Sequence, residues 1–467
     1  MPDKYHIKPT LTASHFHRVG KYGAVDYRED CSRCTNCVKP RCLYDTYKKE
    51  TAHNRSPDTG VELLNECRAC LSCVQGCTKG LLNITINPEF LGMGDNYFTP
   101  GVIETTWKQA DTGTIPVSGA GYRGRFHGPG FDSIWTDMSE IVRPTRDGIH
   151  GREYISTSVD IGPKPMRLHF SPSGEMLTEP FELLELPLPF LLDISAWSMD
   201  TNLNLARLKA AKKLKSLAVL ETADLEGLAP EDLPFAVPLI KPDVSAQLNE
   251  SVIRTVKMVE LIDSALTLAL VQRIKAISPG VVIGVRLLLG PTTLNRIVEL
   301  SAAKIKVFHI CADFRGREMG VEKPRHIRDA MRELHGELVK LGIRDELTLI
   351  IRGGIALAEH VPKAIICGSD LVALDVAPMV AVGCRVCRNV NKETHPAHCP
   401  INPEPIDTDY AAQRIHNLMC AWHNQLIEVL GAMGIREVRR LRGEVGRAIF
   451  REDIEREAFG DLVRRSA

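Results

Sequence analysis

The sequence lacks the features that would direct a chain into or across a membrane. Its first residues, Met1-Pro-Asp-Lys-Tyr-His, do not form the apolar core of a signal peptide, and no apolar run reaches the length of a membrane span. Charge of either sign is not in excess, because 58 basic and 58 acidic residues give a formal net charge of zero. This balance gives no indication of steering by nucleic acid or by an anionic membrane surface. The 467 residues have an ordinary globular composition and suffice for two or three domains.

Cysteine, by contrast, is abundant, and eight of the 14 cysteines fall in two runs. The runs are Cys31-x2-Cys34-x2-Cys37-x4-Cys42 and Cys67-x2-Cys70-x2-Cys73-x3-Cys77. Three cysteines at i, i+3 and i+6 can wrap one corner of a cubane, and in the bacterial two-cluster pattern the fourth cysteine of each run ligates the other cluster. The spacing predicts one [4Fe–4S] cluster on Cys31, Cys34, Cys37 and Cys77, and a second on Cys67, Cys70, Cys73 and Cys42.

Zinc sites, disulfides and buried apolar cysteines are the alternatives to clusters. Zinc sites normally show paired Cys-x2-Cys motifs rather than triplets, so the spacing favours iron–sulfur clusters. The chain departs from the two-cluster pattern in two ways: four residues precede Cys42, and Leu43 and Thr78 stand where proline would follow the fourth cysteine. Thiols arranged for metal, without an export signal, indicate a reducing cytosol, and we expect a cytoplasmic protein.

From about residue 185, short apolar segments alternate with helical ones. Such strands predict a parallel sheet that is buried on both faces. The length suits a (β/α)8 barrel, with a doubly wound sheet as the alternative. The predicted strands are 190–195, 217–221, 281–287, 306–311, 347–351 and 371–375, and the predicted helices are 205–215, 264–277, 294–303, 326–341 and 359–366.

In such barrels, the loops after the last two strands often hold phosphate groups. Here these loops begin with Arg352-Gly-Gly-Ile and Asp375-Val-Ala-Pro. Gly353 and Gly354 would let backbone amides approach a phosphate closely, although a tight turn explains the pair equally well.

Three cysteines beyond the barrel suggest a third cluster, because Cys384 and Cys387 are followed by Cys399-Pro400. His395 and His398 are close enough in sequence to be ligands, but a place on the loop surface is the simpler interpretation.

The remaining cysteines, Cys311, Cys367 and Cys420, are isolated in the sequence, and we expect them to be packing residues. The tail from Tyr410 to Arg465 is predicted to be helical, with Arg- and Glu-rich solvated faces. The predicted domains are a cluster domain at 1–90, a linker and pre-barrel segment at 91–184, the barrel with the third cluster loop at 185–400, and a helical region at 401–467.

Several stretches resemble the FMN-binding synthase domain of glutamate synthase, in the archaeal-type arrangement with a fused two-cluster ferredoxin module. They are Ile141 to Thr157, Ile194-Ser-Ala-Trp-Ser-Met, Arg352-Gly-Gly-Ile with Gly368-Ser-Asp-Leu-Val-Ala-Leu, Gly383-Cys384 with Cys387 and Cys399-Pro400, and Leu430-Gly-Ala-Met-Gly-Ile-Arg.

The resemblance implies a flavin-binding barrel with an N-terminal ferredoxin-like domain. FMN would lie beside Ser195 and Ala196, with its phosphate near Gly353 and Gly354, and Arg286 would replace the family's lysine on the central strand. The third cluster, on Cys384, Cys387 and Cys399, would be a [3Fe–4S] or a [4Fe–4S] centre. No catalytic residue carries over.

The departures from the family fall where flavin and 2-oxoglutarate would bind. Trp197, Met199 and Asp200 interrupt the Ser-Ala-Met-Ser-Phe-Gly motif, and Glu221-Thr-Ala-Asp replaces a Gly-Glu-Gly-Gly turn. The glycine-rich segment after Lys257-Met258 is shortened, and Asp313-Phe-Arg-Gly-Arg replaces Gly-Gly-Thr-Gly. In that replacement Arg315 and Arg317 are either new anion contacts or surface ion-pair partners.

Two functions follow from this sequence. The first is an oxidoreductase of the glutamate synthase type, acting on CH–NH2 donors, in which clusters relay electrons from a partner to FMN. The second is a non-catalytic electron-transfer or scaffold subunit whose barrel site has degenerated. Either would work in a hetero-oligomeric complex with a ferredoxin, an NAD(P)H-dependent reductase or a glutaminase-type subunit.

Overall fold

The computed structural model of the protein describes residues 7–32, 34, 36–46, 67–115, 127–136, 155–164, 168–177, 183–193, 201–242, 249–387 and 406–464. The chain divides into two compact units. The smaller comprises Ser14–Glu104 and Arg385–His395, and the larger comprises Met1–Ala13, Thr105–Cys384 and Pro396–Ala467.

The smaller unit carries both N-terminal cysteine runs between two paired strands. Strand β1 (Tyr22–Tyr27) precedes the first run and pairs antiparallel with β2 (Leu82–Ile86), which follows the second. Short helices at Val38–Arg41 and Ser72–Gln75 lie within the runs, and a third helix spans Pro88–Gly92. The strand pairing therefore brings the two ends of the cysteine-rich segment together.

Among the described residues of the larger unit, three short strands precede the barrel. They are β3 (Ile134–Thr136), β4 (Val159–Ile161) and β5 (Leu184–Leu186), and β4 pairs antiparallel with β5. The helix Pro100–Thr112 comes before them in the chain.

Eight parallel strands close into a barrel, because the last of them pairs with the first. This closure confirms the predicted (β/α)8 fold and excludes the doubly wound alternative. The strands are β6 (Phe190–Leu192), β7 (Ala218–Glu221), β8 (Ala236–Ile240), β9 (Met258–Ile262), β10 (Val282–Leu288), β11 (Val307–Cys311), β12 (Thr348–Arg352) and β13 (Leu371–Leu374).

Six of these strands match the predicted ones closely, and the sequence reasoning missed β8 and β9. The helices among and after the strands are Thr201–Leu214, Glu250–Thr255, Thr267–Ile277, Thr293–Ala302, Ile327–Lys340, His360–Ile366 and Val376–Ala381.

The C-terminal region is largely helical, as predicted, but it is interrupted and its first helix is more buried than the expected solvated faces imply. The helix Thr408–Ala432 is largely buried, and the chain then leaves helical structure for short turns and β14 (Ala448–Phe450), which pairs with β3. A last helix spans Arg451–Arg464. The polar positions of the first helix include Arg414, which is fully buried and donates to the Ala381 carbonyl oxygen at 2.6 Å, so a polar residue there did not mean a solvated one.

Within the described residues, no helix combines the length and apolarity that a membrane crossing needs.

Candidate functional site at the barrel mouth

Charged side chains from five strands and their ends meet inside the barrel. Because residues i and i+2 of a strand point to the same side, the polar positions of neighbouring strands converge towards the C-terminal mouth. We call this group the barrel charge cluster, and its members are Asp193, Glu260, Arg286, His309, Cys311 and Arg352.

Arg286 on β10 is held between two buried carboxylates. Its Nη2 donates to Asp193 Oδ1 at 2.8 Å, and its Nε donates to Glu260 Oε1. Burial opposes the charge of this guanidinium, but Asp193 and Glu260 outweigh it and raise the pKa of Arg286 well above its usual value. Burial likewise opposes the charge of both carboxylates, and Arg286 overcomes it, so the pKa values of Asp193 and Glu260 lie below their usual range. The predicted cofactor role of Arg286 stays a prediction, and in this structure the guanidinium is engaged by the protein.

Arg352, the last residue of β12, links the cluster to the next loop. Its Nη1 donates to Asp193 Oδ2 at 3.3 Å, and its Nε lies 3.9 Å from Asp375 Oδ2. The buried Nε has no hydrogen-bond partner within the described chain. Asp375 caps the helix Val376–Ala381 by accepting from the Val376 amide at 2.8 Å, and its burial raises the pKa of that carboxyl.

His309 on β11 is oriented by Glu260. Its Nδ1 lies 2.9 Å from Glu260 Oε1, while its Nε2 lies 3.9 Å from Asp193 Oδ2 and makes no hydrogen bond to any residue described. Burial by itself lowers the pKa of His309, but the charges of the neighbouring Cys311 and Glu260 outweigh burial and raise that pKa to about 10. The imidazole is therefore a proton-carrying group inside the barrel.

Arg207, on the helix Thr201–Leu214, approaches the cluster from outside the sheet. It donates to the Asp193 carbonyl oxygen and to Asn204 Oδ1. Burial lowers the pKa of Arg207 to about 10. Its Nε is another buried donor for which the described residues provide no acceptor.

The Gly353–Gly354 turn follows β12 with both residues at positive φ, 104° and 74°. A Cβ atom on Gly353 would lie 2.3 Å from the Asp313 carbonyl oxygen, so the close approach of two loops requires a glycine there. The Gly354 amide donates to the Phe314 carbonyl oxygen at 3.2 Å. Glu359 then stands at the N-cap of the helix His360–Ile366. The phosphate role of Gly353 and Gly354 stays a prediction.

His360 forms hydrogen bonds both to Asp132, in the segment before the barrel, and to the Gly353–Gly354 turn. Its Nε2 lies 2.8 Å from Asp132 Oδ1, and its Nδ1 lies 3.2 Å from the Gly354 carbonyl oxygen. Glu359 has an oxygen within 4.8 Å of the Asp132 and His360 ligand atoms, a spacing that a metal ion could use. The His360–Asp132 hydrogen bond accounts for two of these side chains without a metal; Glu359 Oε1 lies 3.6 Å from Lys363 Nζ and makes no hydrogen bond within the described residues.

The eight cysteines of the two N-terminal runs form no disulfides in the described structure and differ in exposure. Cys34 and Cys70 are exposed, and Cys42 and Cys73 are buried. The Leu81 amide donates to Cys77 Sγ at 3.4 Å.

The structure describes only some of the other predicted site residues. Cys384 is buried and Cys387 is partly buried, whereas Cys399 lies outside the described residues, as do Ser195 and Ala196. The block Ile141 to Thr157 is described only from residue 155. The cluster and flavin ligand sets therefore stay predictions.

Sequence reasoning missed Glu260, His309 and Cys311 as site residues. Glu260 lies on a strand that was not predicted, and Cys311 was interpreted as a packing residue. The available signal was the alternation of His309 and Cys311 at i and i+2 on a strand that ends at the barrel mouth.

Comparison with known proteins identifies relatives along the chain. A family model for the conserved region in glutamate synthase matches residues 324–436. The archaeal-type glutamate synthase [NADPH] of Dehalococcoides mccartyi is 23% identical over 484 residues, covering 90% of this chain and 93% of that protein. The archaeal enzyme of Archaeoglobus fulgidus is 23% identical over 512 residues, covering 96% and 98%. That of Methanocaldococcus jannaschii is 37% identical over 110 residues, covering 22% and 21%.

Solved structures show a weaker likeness. The flavin-binding domain of baker's yeast flavocytochrome b2 has a TM-score of 0.43 at 13% identity, covering 74% of this chain and 82% of that one. A lactate oxidase from Pediococcus acidilactici has a TM-score of 0.39 at 14% identity, covering 73% and 92%. The barrel assignment rests on the strand pairing of the chain itself. By sequence, the chain is similar to the archaeal-type glutamate synthases along most of its length, and its residues 324–436 match the conserved region of the glutamate synthase family.

Proposed function

We propose that this chain is an oxidoreductase of the glutamate synthase type, in which two [4Fe–4S] clusters relay electrons towards FMN at the barrel mouth. The observation that carries the proposal is the presence of two cysteine triplets and a closed parallel barrel on one chain of this family. Clusters carry single electrons, and FMN, when bound, would convert them into the two-electron steps that most organic reductions need. We place the protein in the cytoplasm with a redox partner protein or subunit.

The clusters are proposed on the ligand sets that the spacing predicts. Both runs lie between β1 and β2, so the antiparallel pairing of these strands returns the second run to the first. The amide of Leu81 already donates to the Cys77 sulfur, an interaction that favours thiolate ligands. A third cluster is proposed on Cys384, Cys387 and Cys399.

The barrel mouth fits the polar edge of a flavin through a donor that the described protein leaves unused. The Nε atom of Arg352 is buried and finds no acceptor in the described part of the chain, which is costly unless a bound group accepts from it. We propose that Arg286 holds positive charge beside the flavin, that Ser195 and Ala196 lie against it, and that Gly353 and Gly354 accommodate its phosphate. The buried side chains of the barrel interior would exclude water from the flavin ring.

The alternative function, an electron-transfer subunit with a degenerate barrel site, is favoured by a different observation. Carboxylates stand at both helix starts where the phosphate is predicted, namely Glu359 and Asp375, and the Gly354 amide already has an acceptor. Asp375 caps its helix whereas Glu359 makes no capping hydrogen bond, and a carboxylate of either kind at a helix N-terminus disfavours a bound anion.

Anaerobic purification with iron and flavin analysis tests both functions. The first function predicts a brown protein with about eight iron atoms from two cubanes, three or four more from the third cluster, and one FMN. The variant Cys70→Ala should lose one N-terminal cluster, with the matched control Cys420→Ala retaining all of them.

The flavin is tested by Gly354→Val, which should release FMN while the N-terminal clusters remain. Zinc in place of iron would reject the cluster assignment. Iron without flavin would instead support the electron-transfer subunit, and retention of FMN by Gly354→Val would place the phosphate elsewhere.

A further inference from the structure

Three isolated cysteines of the larger unit share the same burial but differ in their surroundings. Cys311, Cys367 and Cys420 are each 1% exposed. Burial raises the pKa of Cys367 and of Cys420 to about 12, as expected of packing residues. Burial acts in the same direction on Cys311, but His309, Arg286 and Arg352 outweigh it and lower the pKa of that thiol. Cys311 therefore lies in a site of a different kind.

The strand register places Cys311 beside a cation. Cys311 is the last residue of β11, and it pairs with Arg352 on β12 and with Leu288 on β10. His309 precedes it by two positions on the same strand, so both side chains point into the barrel. Cys311 is therefore at the C-terminal end of a barrel strand, where catalytic side chains of this fold are found.

His309 is arranged as the proton partner of a nucleophile. Its Nδ1 is engaged by Glu260 Oε1 at 2.9 Å, which fixes the ring, and its buried Nε2 has no hydrogen-bond partner among the residues described. A nucleophile, a base and a carboxylate that orients the base form the arrangement of covalent catalysis.

We propose that Cys311 is a nucleophile of the barrel mouth, with His309 as its acid–base partner and Glu260 as the positioning residue. The substrate class is a small molecule with an electrophilic carbonyl carbon. The thiolate sulfur bonds to that carbon, the carbonyl π pair moves to oxygen, and the oxygen takes the proton from His309 Nε2 to give a hemithioacetal. The step is redox-neutral.

This inference needs neither flavin nor clusters, so its test is separate from that of the proposed function. The anaerobic full-length protein is treated with iodoacetamide across a pH series, and labelling is read at each cysteine by mass spectrometry. At about pH 7.5, where an ordinary thiol is mostly protonated, Cys311 should be labelled while Cys367 and Cys420 are not. Labelling of Cys311 no faster than that of these two internal controls overturns the proposal, since a nucleophile must be reachable by a small electrophile.

Two variants and a competitor test the roles. His309→Asn should slow labelling of Cys311 at neutral pH by about tenfold, and Glu260→Gln should slow it less, while His335→Asn, a histidine elsewhere in the larger unit, should leave it unchanged. Propionaldehyde should protect Cys311 and 1-propanol should not. Equal labelling rates of Cys311 in the wild type and in His309→Asn would contradict the acid–base role of His309. Equal protection by propionaldehyde and 1-propanol would contradict the specificity for a carbonyl group.

Discussion

The ring of His335 occupies a space that two glycines leave open. A Cβ atom at Gly368 would lie 2.5 Å from the His335 Cβ, and one at Gly443 would lie 2.3 Å from its Nε2. Both glycines have positive φ, 112° and 72°. Backbone strain and side-chain packing therefore require glycine at the same two positions.

Replacement of Gly368 by Ala should be clearly destabilising. The new methyl group meets a side chain rather than open space, and overpacking with left-handed strain costs about 1–3 kcal/mol. Gly320→Ala is the matched control, because its φ is 74° but no atom lies within 4 Å of the added Cβ. Thermal unfolding of both variants measures the difference, and equal losses would show that strain alone acts at Gly368.

His335 should make the protein less stable in mild acid. Burial, followed by the charges of Arg344 and Arg442, lowers the pKa of His335 to about 4, against 6.5 in the unfolded chain, and the carboxylates of Asp370 and Asp345 oppose this only in part. Between these values the unfolded chain binds a proton that the folded one does not, so stability is full above pH 6.5 and is lost as the pH falls towards 4.

The measurement for His335 is the unfolding temperature across that pH window. The variant His335→Gln should show a shallower decline, with His326 and His416 still contributing, because burial also lowers their pKa values to about 3 and 4. An unchanged slope in His335→Gln would assign the acid sensitivity to those other groups.

At the scale of the element, the helix Thr408–Ala432 belongs to the core of the larger unit. Arg414 on this helix is fully buried, donates to the Thr12 and Ala381 carbonyl oxygens at 2.9 and 2.6 Å, and pairs with Asp111. Through Arg414, the helix Thr408–Ala432 therefore contacts the start of the chain, the helix Pro100–Thr112 and the segment that follows the last barrel strand.

Removal of Arg414 should destabilise the larger unit strongly. Arg414→Ala removes a fully buried guanidinium that pairs with the partly buried Asp111 carboxylate and donates to the Thr12 and Ala381 carbonyl oxygens, a loss of about 3 kcal/mol. Lys209→Ala is the control, since its 2.8 Å ion pair with Asp409 on the same helix is exposed and is worth less than about 1 kcal/mol. Similar unfolding free energies for the two variants would contradict a core role for the helix.

For the whole molecule, the charge balance of the barrel mouth bears on the substrate. Three guanidinium groups, of Arg207, Arg286 and Arg352, face the carboxylates of Asp193, Glu260 and Asp375. A dicarboxylate such as 2-oxoglutarate would find cations that the protein has already neutralised, and an unpaired buried carboxylate is costly.

We therefore expect weak or absent glutamate synthase turnover, even with a reduced ferredoxin and ammonia supplied. The measurement is direct quantification of glutamate under anaerobic conditions, with an archaeal-type glutamate synthase as the positive control. Robust FMN-dependent glutamate formation would reject both this expectation and the electron-transfer alternative.

The sequence by itself determined the features that depend on neighbouring residues. Cluster ligands were predicted from spacings within Cys31–Cys42 and Cys67–Cys77, and the alternation of apolar strands and helices predicted the barrel. Strand β8 was not predicted, because Pro238 interrupts its apolar run and proline is unusual within a central strand. The same local reasoning could not separate Cys311 from Cys367 and Cys420.

Only the tertiary structure decided which distant residues meet. Glu260 and His309 are 49 positions apart, and Asp193 and Arg286 are 93 apart, so their contacts depend on barrel closure and strand register. A shift of one residue in register would turn each of these side chains to the other face of the sheet. Burial then changed their chemistry, because a low-dielectric interior strengthens every charge interaction that spacing along the chain cannot reveal.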